Sequence, residues 1–204
     1  MKKFLSLVVA VALCFTFTAC GKTESPGQVV DKYLKDSKSQ AVSSIEDLEK
    51  GDAAEIVDEL GLDEDMLKAL DDSSKEQMLG VIKKVCDFDY EITKEEITKE
   101  NESAVVTVNI TSYNLGEQFS KSISNLMNNA MAWAMSGKSE EEVTNEIIKT
   151  MFEDLNKAEK NYKKEVKIKL DYKDDKWVVD EDNDDFENAI TGGMMDAADS
   201  LNSL

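Results

Sequence analysis

Residues Ser103–Tyr113 read SAVVTVNITSY, and their pattern decides the fold class. Ala104, Val106, Val108 and Ile110 occupy every second position. Side chains alternate across a strand, so these four share one face and predict a half-buried β-strand. Just upstream, Phe88, Tyr90 and Ile92 alternate in the same way, and an Asn101-Glu102 turn joins the two runs. Two alternating runs across a short turn predict an antiparallel pair. Downstream, Val166, Ile168, Leu170 and Tyr172 alternate with Lys167, Lys169, Asp171 and Lys173. The turn KDDK, Lys173–Lys176, then leads into WVVD, Trp177–Asp180. An antiparallel sheet of about four strands is expected.

Around these strands the period changes from two to that of a helix. Ser25-Pro26-Gly27-Gln28 reads as a helix start: Ser25 caps, Pro26 suits the first turn, and Gln28 completes a capping box. Val30, Tyr33, Leu34 and Ala41 follow at helical spacing. Short helices are expected over Ala53–Leu60, Asp63–Leu70 and Ser74–Val85, the last with a capping box from Ser73 and Glu76. Between the second and third strands, Leu115–Met135 is helical, with Phe119, Ile123, Met127, Ala130 and Trp133 in line. Ser136-Gly137-Lys138 breaks it. Ser139 with Glu142 caps a second helix carrying Val143, Ile147, Met151 and Leu155. This pair is a helical hairpin inserted into the sheet's connectivity. A C-terminal helix is expected from about Asp185 to Leu201. The expectation is a single α+β domain over residues 25–204: N-terminal helices, a curved antiparallel sheet, the inserted hairpin and a C-terminal helix.

Composition excludes several functions. The 204 residues carry 43 Asp plus Glu against 24 cations, a net charge of −19. All 24 cations are Lys, and there is no His. Such an acidic surface repels nucleic acid. Without His there is no imidazole base and no His-ligated zinc, and without Arg no bidentate clamp for phosphate or carboxylate. No cofactor and no metal are expected.

The first residues read as a leader. Met1–Lys3 is a short positive region and Phe4–Phe17 is an apolar stretch of 14 residues, the length of a signal peptide and short of the ~20 a spanning helix needs. FTAC, Phe17–Cys20, resembles the lipobox of bacterial lipoproteins. That resemblance implies cleavage between Ala19 and Cys20, so that residues 1–19 leave, and diacylation of Cys20. It implies a chain anchored by lipid at the outer face of the cytoplasmic membrane. Phe17 departs from the usual Leu of that motif, and a plain secretory signal with an incidental cysteine is the alternative. Loss of Lys2 and Lys3 would leave 22 cations against 43 acids, a net of −21. Residues 20–24 form only a short tether, so the domain should sit close to the membrane.

PGQVVDKYL (Pro26–Leu34), VTVNITSYNLGEQFSK (Val106–Lys121) and DYKDDKWVVD (Asp171–Asp180) resemble segments of small lipoproteins from low-GC Gram-positive bacteria. Those carry an uncharacterised domain of the nuclear-transport-factor-like, or cystatin-like, type. The resemblance implies a cone-shaped cavity between helices and a curved sheet, and it supplies no catalytic residues.

Four features are candidate sites. AMAWAM, Ala130–Met135, is apolar all round, and with Met127 it makes Met127, Met131, Trp133 and Met135 candidates for a ligand or partner surface. Burial of the hairpin on both faces is the simpler account. VVDEDNDDFE, Val178–Glu187, is dense in oxygen ligands, but the calcium-loop pattern fails: its sixth position from Asp180 is Asp185 and its twelfth is Thr191. Capping by Asp184, with Glu187 in the first turn, explains the run more simply. Lys157–Lys176 holds eight Lys against five acids and suits either anionic lipid or the solvated face of a strand. Cys86 is expected to be a small core residue, with no His to activate it. The expected function is therefore non-catalytic: binding of an unknown small ligand or protein by an anchored accessory module. The alternatives are a hydrolase of wall glycans working through carboxylates alone, such as Asp87 with Asp89 or Asp174 with Asp175, and a protein–protein module acting through the hairpin.

Overall fold

The computed structural model describes residues 24–50, 71–98, 102–135, 137–180 and 183–202. The leader, Cys20 and the helices expected over Ala53–Leu60 and Asp63–Leu70 lie outside that set. Along the chain run α1 (Pro26–Lys50), α2 (Asp72–Cys86), β1 (Asp89–Ile97), β2 (Ser103–Ser112), α3 (Leu115–Ala134), α4 (Glu140–Leu155), β3 (Tyr162–Lys173), β4 (Lys176–Val179), α5 (Asp184–Ile190) and α6 (Met194–Asn202). The fold is α+β, with four antiparallel strands in the order β1-β2-β3-β4.

The alternation in β2 does what its pattern predicts. Ala104, Val106, Val108 and Ile110 are buried, facing Leu170, Ile168, Val166 and Lys164 across β3. The register slips between Ile92 and Lys94 of β1, a bulge at Thr93. Two-residue periodicity would otherwise carry Lys94 to the core face; the extra residue turns it away and places Glu95 opposite Val106. The β3–β4 hairpin turns through Asp174 (φ 52°) and Asp175 (φ 61°). Two successive left-handed residues suit the twist of a tight hairpin, and Asp tolerates that conformation better than most side chains. Tyr172 and Trp177 then meet across the strands with ring centroids 4.9 Å apart.

α1 and α5 cover one face of the sheet. Val30 and Leu34 of α1 are fully buried there, each worth roughly 1.5–3 kcal/mol of apolar transfer. Phe186 of α5 packs between Tyr33 (6.0 Å between ring centroids, tilted) and Phe88 (5.9 Å, edge-on). Side chains of α1, α5 and the sheet form one buried cluster on that face. The opposite face is open, with Lys163, Glu165, Lys167 and Lys169 exposed. The Lys-rich stretch is therefore the solvated side of a strand. Lys94, Glu96, Glu91 and Asp171 share that open face, so its charges are mixed.

A second cluster lies beyond one end of the sheet. Met78, Val81 and Val85 of α2, Leu115 and Phe119 of α3, Phe152 and Leu155 of α4 and Met194 of α6 make its core. The direction of α1 fixes which end this is. Ser25 donates to Glu95 Oε1 (3.3 Å), Tyr90 donates to Asp31 Oδ1 (2.9 Å), and Lys38 Nζ donates to the Phe88 carbonyl (2.5 Å). α1 thus runs antiparallel to β1. The N-terminus sits at the β1–β2 turn, and the helical cluster sits at the other end.

Local chemistry sets the helix ends. The Ser25–Gln28 box forms in both directions, as does the Ser139–Glu142 box. α2 begins differently from the expectation: Asp71, not Ser73, is the cap, accepting from the Ser74 amide at 2.7 Å. A carboxylate at the helix start satisfies an orphan amide and meets the positive end of the dipole. α5 is also corrected. Asn183 precedes it and Asp184 is already inside, because the Asn183 side chain is spent tying the Lys169 amide and the Asp180 carbonyl together. The single C-terminal helix expected over Asp185–Leu201 is two helices. Gly192 (φ 60°) and Gly193 (φ 78°) turn the chain between them.

Candidate functional site

The hairpin of α3 and α4 leaves the sheet at Tyr113 and returns to it at Tyr162. Its base is buried and its far end is not. Phe119 is buried and Ile123 half-buried, both in the helical cluster. One turn further, Met127 is 74% exposed, and Met135 is 82% exposed. Ala132 is exposed, Trp133 is half-buried, and the side chain of Met131 is outside the described set. The expectation that packing buries this segment on both faces is corrected for Met127 and Met135.

α6 is the shorter partner of α3. α6 and α3 leave one junction, where the Gly116 amide donates to the Gly192 carbonyl at 3.1 Å, and pack side by side. Nine residues of helix reach only about 13 Å. α3 also packs against α4. α4 is held on α2 by Asn156, whose Nδ2 donates to the Gln77 carbonyl (2.7 Å) and to Gln77 Oε1 (2.8 Å). Lys149 of α4 lies near Asp71, at the start of α2. The first turns of α4, from Glu140, therefore extend beyond Asp72, where α2 begins.

Charge makes this end distinct. Between Lys121 and Lys138 there is no charged residue, the longest such run after the leader. The acids of the tip, Glu140–Glu142, all open α4, where Glu142 is folded into its capping box. The hydrogen bond from the Ser139 amide holds the Glu142 carboxyl below the usual carboxylate range.

The other candidates resolve locally. Lys160 reaches Asp87 Oδ1 (2.9 Å) and Asp89 Oδ2 (3.0 Å) at once, and Tyr113 donates to Asp87 Oδ2 (3.1 Å). Lys84 Nζ lies 4.3 Å over the Tyr113 ring. The Lys160 bond holds the Asp87 carboxyl low, against a smaller upward pull from burial. This cluster ties together three connections, those into β1, α3 and β3. Asp174 and Asp175 are an exposed turn. Asp154 is pushed up by burial, but Lys157 (2.6 Å) and Asn125 (3.3 Å) outweigh it, and its carboxyl is net lowered. The buried Ser122 hydroxyl, close enough to add a weak downward pull, has no partner within hydrogen-bond distance. Among the described residues, the carboxyls of Asp31, Asp71, Asp87, Glu117, Glu142 and Asp154 are all held below the usual carboxylate range. A general acid needs the opposite. Among the described residues no three acid or thiol side chains converge as metal ligands, and Glu181 and Asp182 of the acidic run lie outside that set.

Cys86 is a free thiol at the end of α2, and burial pushes it up to about 12. The thiolate is the reactive form, so at pH 8 almost none is present. Iodoacetamide at pH 8 is expected to leave Cys86 unmodified in the folded protein and to label it fully in denaturant, as read by peptide mass. Labelling at equal rates in both states would refute the burial.

No protein-family model matches the chain, and no curated protein matches it. Among solved structures it is similar to a crystal structure of a candidate lipoprotein, YcdA, from Bacillus subtilis subsp. subtilis strain 168, at 15% identity and a TM-score of 0.42. The similarity covers 92% of this chain and 56% of that one, so the chain spans about half of that protein's length. That likeness does not show the nuclear-transport-factor-like or cystatin-like type.

Proposed function

We propose that the chain is a lipid-anchored extracytoplasmic protein that binds a partner without catalysing a reaction. Cys20, freed by cleavage after Ala19 and diacylated, attaches the folded part to the outer face of the cytoplasmic membrane. The leader and FTAC support the anchor. Among the described residues, no helix is long and apolar enough to cross a membrane. The observation that carries the binding half is the exposure of Met127 and Met135 within the uncharged run between Lys121 and Lys138. Methionine is flexible and polarisable and adapts to irregular apolar surfaces. This favours protein–protein contact through the hairpin over a small ligand held beneath the sheet. The lack of His and Arg, together with lowered carboxylates, argues against a carboxylate-only hydrolase.

The test of the anchor is Cys20→Ser. Palmitate incorporation is expected to disappear, and the processed protein to move from the membrane fraction to the medium. Palmitate retained in the variant would exclude Cys20 as the attachment point.

A further inference from the structure

The two turns of the sheet lie together at the end where α1 begins. Ser25 Oγ donates to Glu95 Oε1 (3.3 Å), and Gly27 packs so closely on Glu95 that an added Cβ would clash with it. The start of α1 is therefore fixed on β1 beside the β1–β2 turn. The β3–β4 turn is at the same end: Ser103 pairs with Asp171, and the Tyr172 amide donates to the Glu102 carbonyl (2.8 Å). At the opposite end are Asp89, Thr111 and Lys163, with the helical cluster beyond them. Five Cα-to-Cα steps join Cys20 to Ser25, a reach of at most about 18 Å.

From this geometry we infer that the end of the sheet carrying the two turns is the surface that faces the bilayer, with the strands rising from it and the helical cluster held outermost. The inference rests on the anchor proposed above. Reach excludes the inverted arrangement. From Glu95 to Asp89 is about 20 Å of strand, and the helices beyond add at least about 10 Å. With the cluster against lipid, Ser25 would stand about 30 Å away from it, beyond the tether. Charge removes the pull that would lay the sheet flat. On the open face Lys94 pairs with Glu96 (2.9 Å) and Lys173 with Asp171 (2.9 Å), so that face offers anionic lipid little net attraction. On the covered face α5 opens with Asp184, Asp185 and Glu187, which an anionic surface repels. The β3–β4 turn balances Lys173 and Lys176 against Asp174 and Asp175, so it meets the headgroups without net charge. The hairpin of α3 and α4 leaves the sheet at the outermost end, and a partner it meets lies on the side away from the bilayer.

β3 serves as the ruler. Lys163, Lys167 and Lys173 are exposed on one face of it, and about 33 Å of strand separates the first from the last. Each is replaced by Cys in the full chain, made in a bacterium that processes lipoproteins, and labelled with a donor fluorophore; the unsubstituted chain sets the background. The labelled proteins are reconstituted into vesicles of phosphatidylglycerol and phosphatidylethanolamine that carry an acceptor on the headgroup. Palmitate and flotation with the vesicles are read on the same samples. Energy transfer is expected to be at least two-fold stronger from Lys173→Cys than from Lys163→Cys, with Lys167→Cys between them. Equal transfer from all three in palmitoylated, floating protein would mean that the strand lies along the bilayer. Strongest transfer from Lys163→Cys would put the helical cluster at the lipid. Either result overturns the orientation and leaves the anchor standing. Absence of palmitate overturns the anchor, and the orientation with it, whatever the transfer.

Discussion

Gly192→Ala is expected to destabilise the fold by roughly 2–5 kcal/mol, about 1–2 from forcing a side chain into the left-handed region and about 1–3 from overpacking. Gly192 has φ 60°, and a Cβ there would lie 1.7 Å from the Tyr113 carbonyl oxygen and 2.8 Å from the Leu115 amide nitrogen. Both are backbone atoms, so no side-chain rotation relieves the clash. The junction itself must open, and with it the Gly116–Gly192 hydrogen bond that starts α3 and α6 together. Gly137→Ala is the matched control: φ is 69°, and nothing lies within 4 Å of the added carbon. It is expected to lose only the conformational part, about 1–2 kcal/mol. Urea midpoints of the two variants decide the matter. Equal losses would mean that close approach at Gly192 adds nothing.

Phe152→Ala is expected to cost about 3–5 kcal/mol. The ring is 1% exposed and belongs to the cluster that joins α2, α3, α4 and α6. Truncation leaves a cavity between helices whose backbones are held by other contacts, so the site collapses only in part. Met127→Ala, on the same hairpin, is expected to change stability by no more than about 0.5 kcal/mol, since Met127 is uncovered. Thermal denaturation of the two variants separates core from surface along one helical hairpin. If Met127→Ala were as damaging as Phe152→Ala, the tip would be part of the core and unavailable to a partner.

Phe152 also shows where the pattern of residues misled. At helical spacing, Val143, Ile147, Met151 and Leu155 suggest the buried side of α4. The side facing the cluster holds Ile148, Met151, Phe152 and Leu155. α4 has apolar residues over a wide arc, and its neighbours α2 and α3 choose the part of it to bury. The same holds along α3, where Phe119, Ile123 and Met127 form one apolar line and only the first two are covered.

Sequence alone determined the local structure of this protein: the four strands, the boxes at Ser25–Gln28 and Ser139–Glu142, and the Asp174-Asp175 turn. Each depends on neighbours a few residues away, through side-chain alternation, a side-chain-to-amide bond or a backbone conformation. Sequence also located the uncharged apolar run that carries Met127, Met131, Trp133 and Met135, since composition needs no fold to be read. Tertiary structure decided which parts of that run are exposed, that Lys160 binds both Asp87 and Asp89, and that Gly192 and Gly193 split the last helix. Those outcomes depend on groups brought together from distant parts of the chain. Burial is a property of the neighbour as much as of the residue.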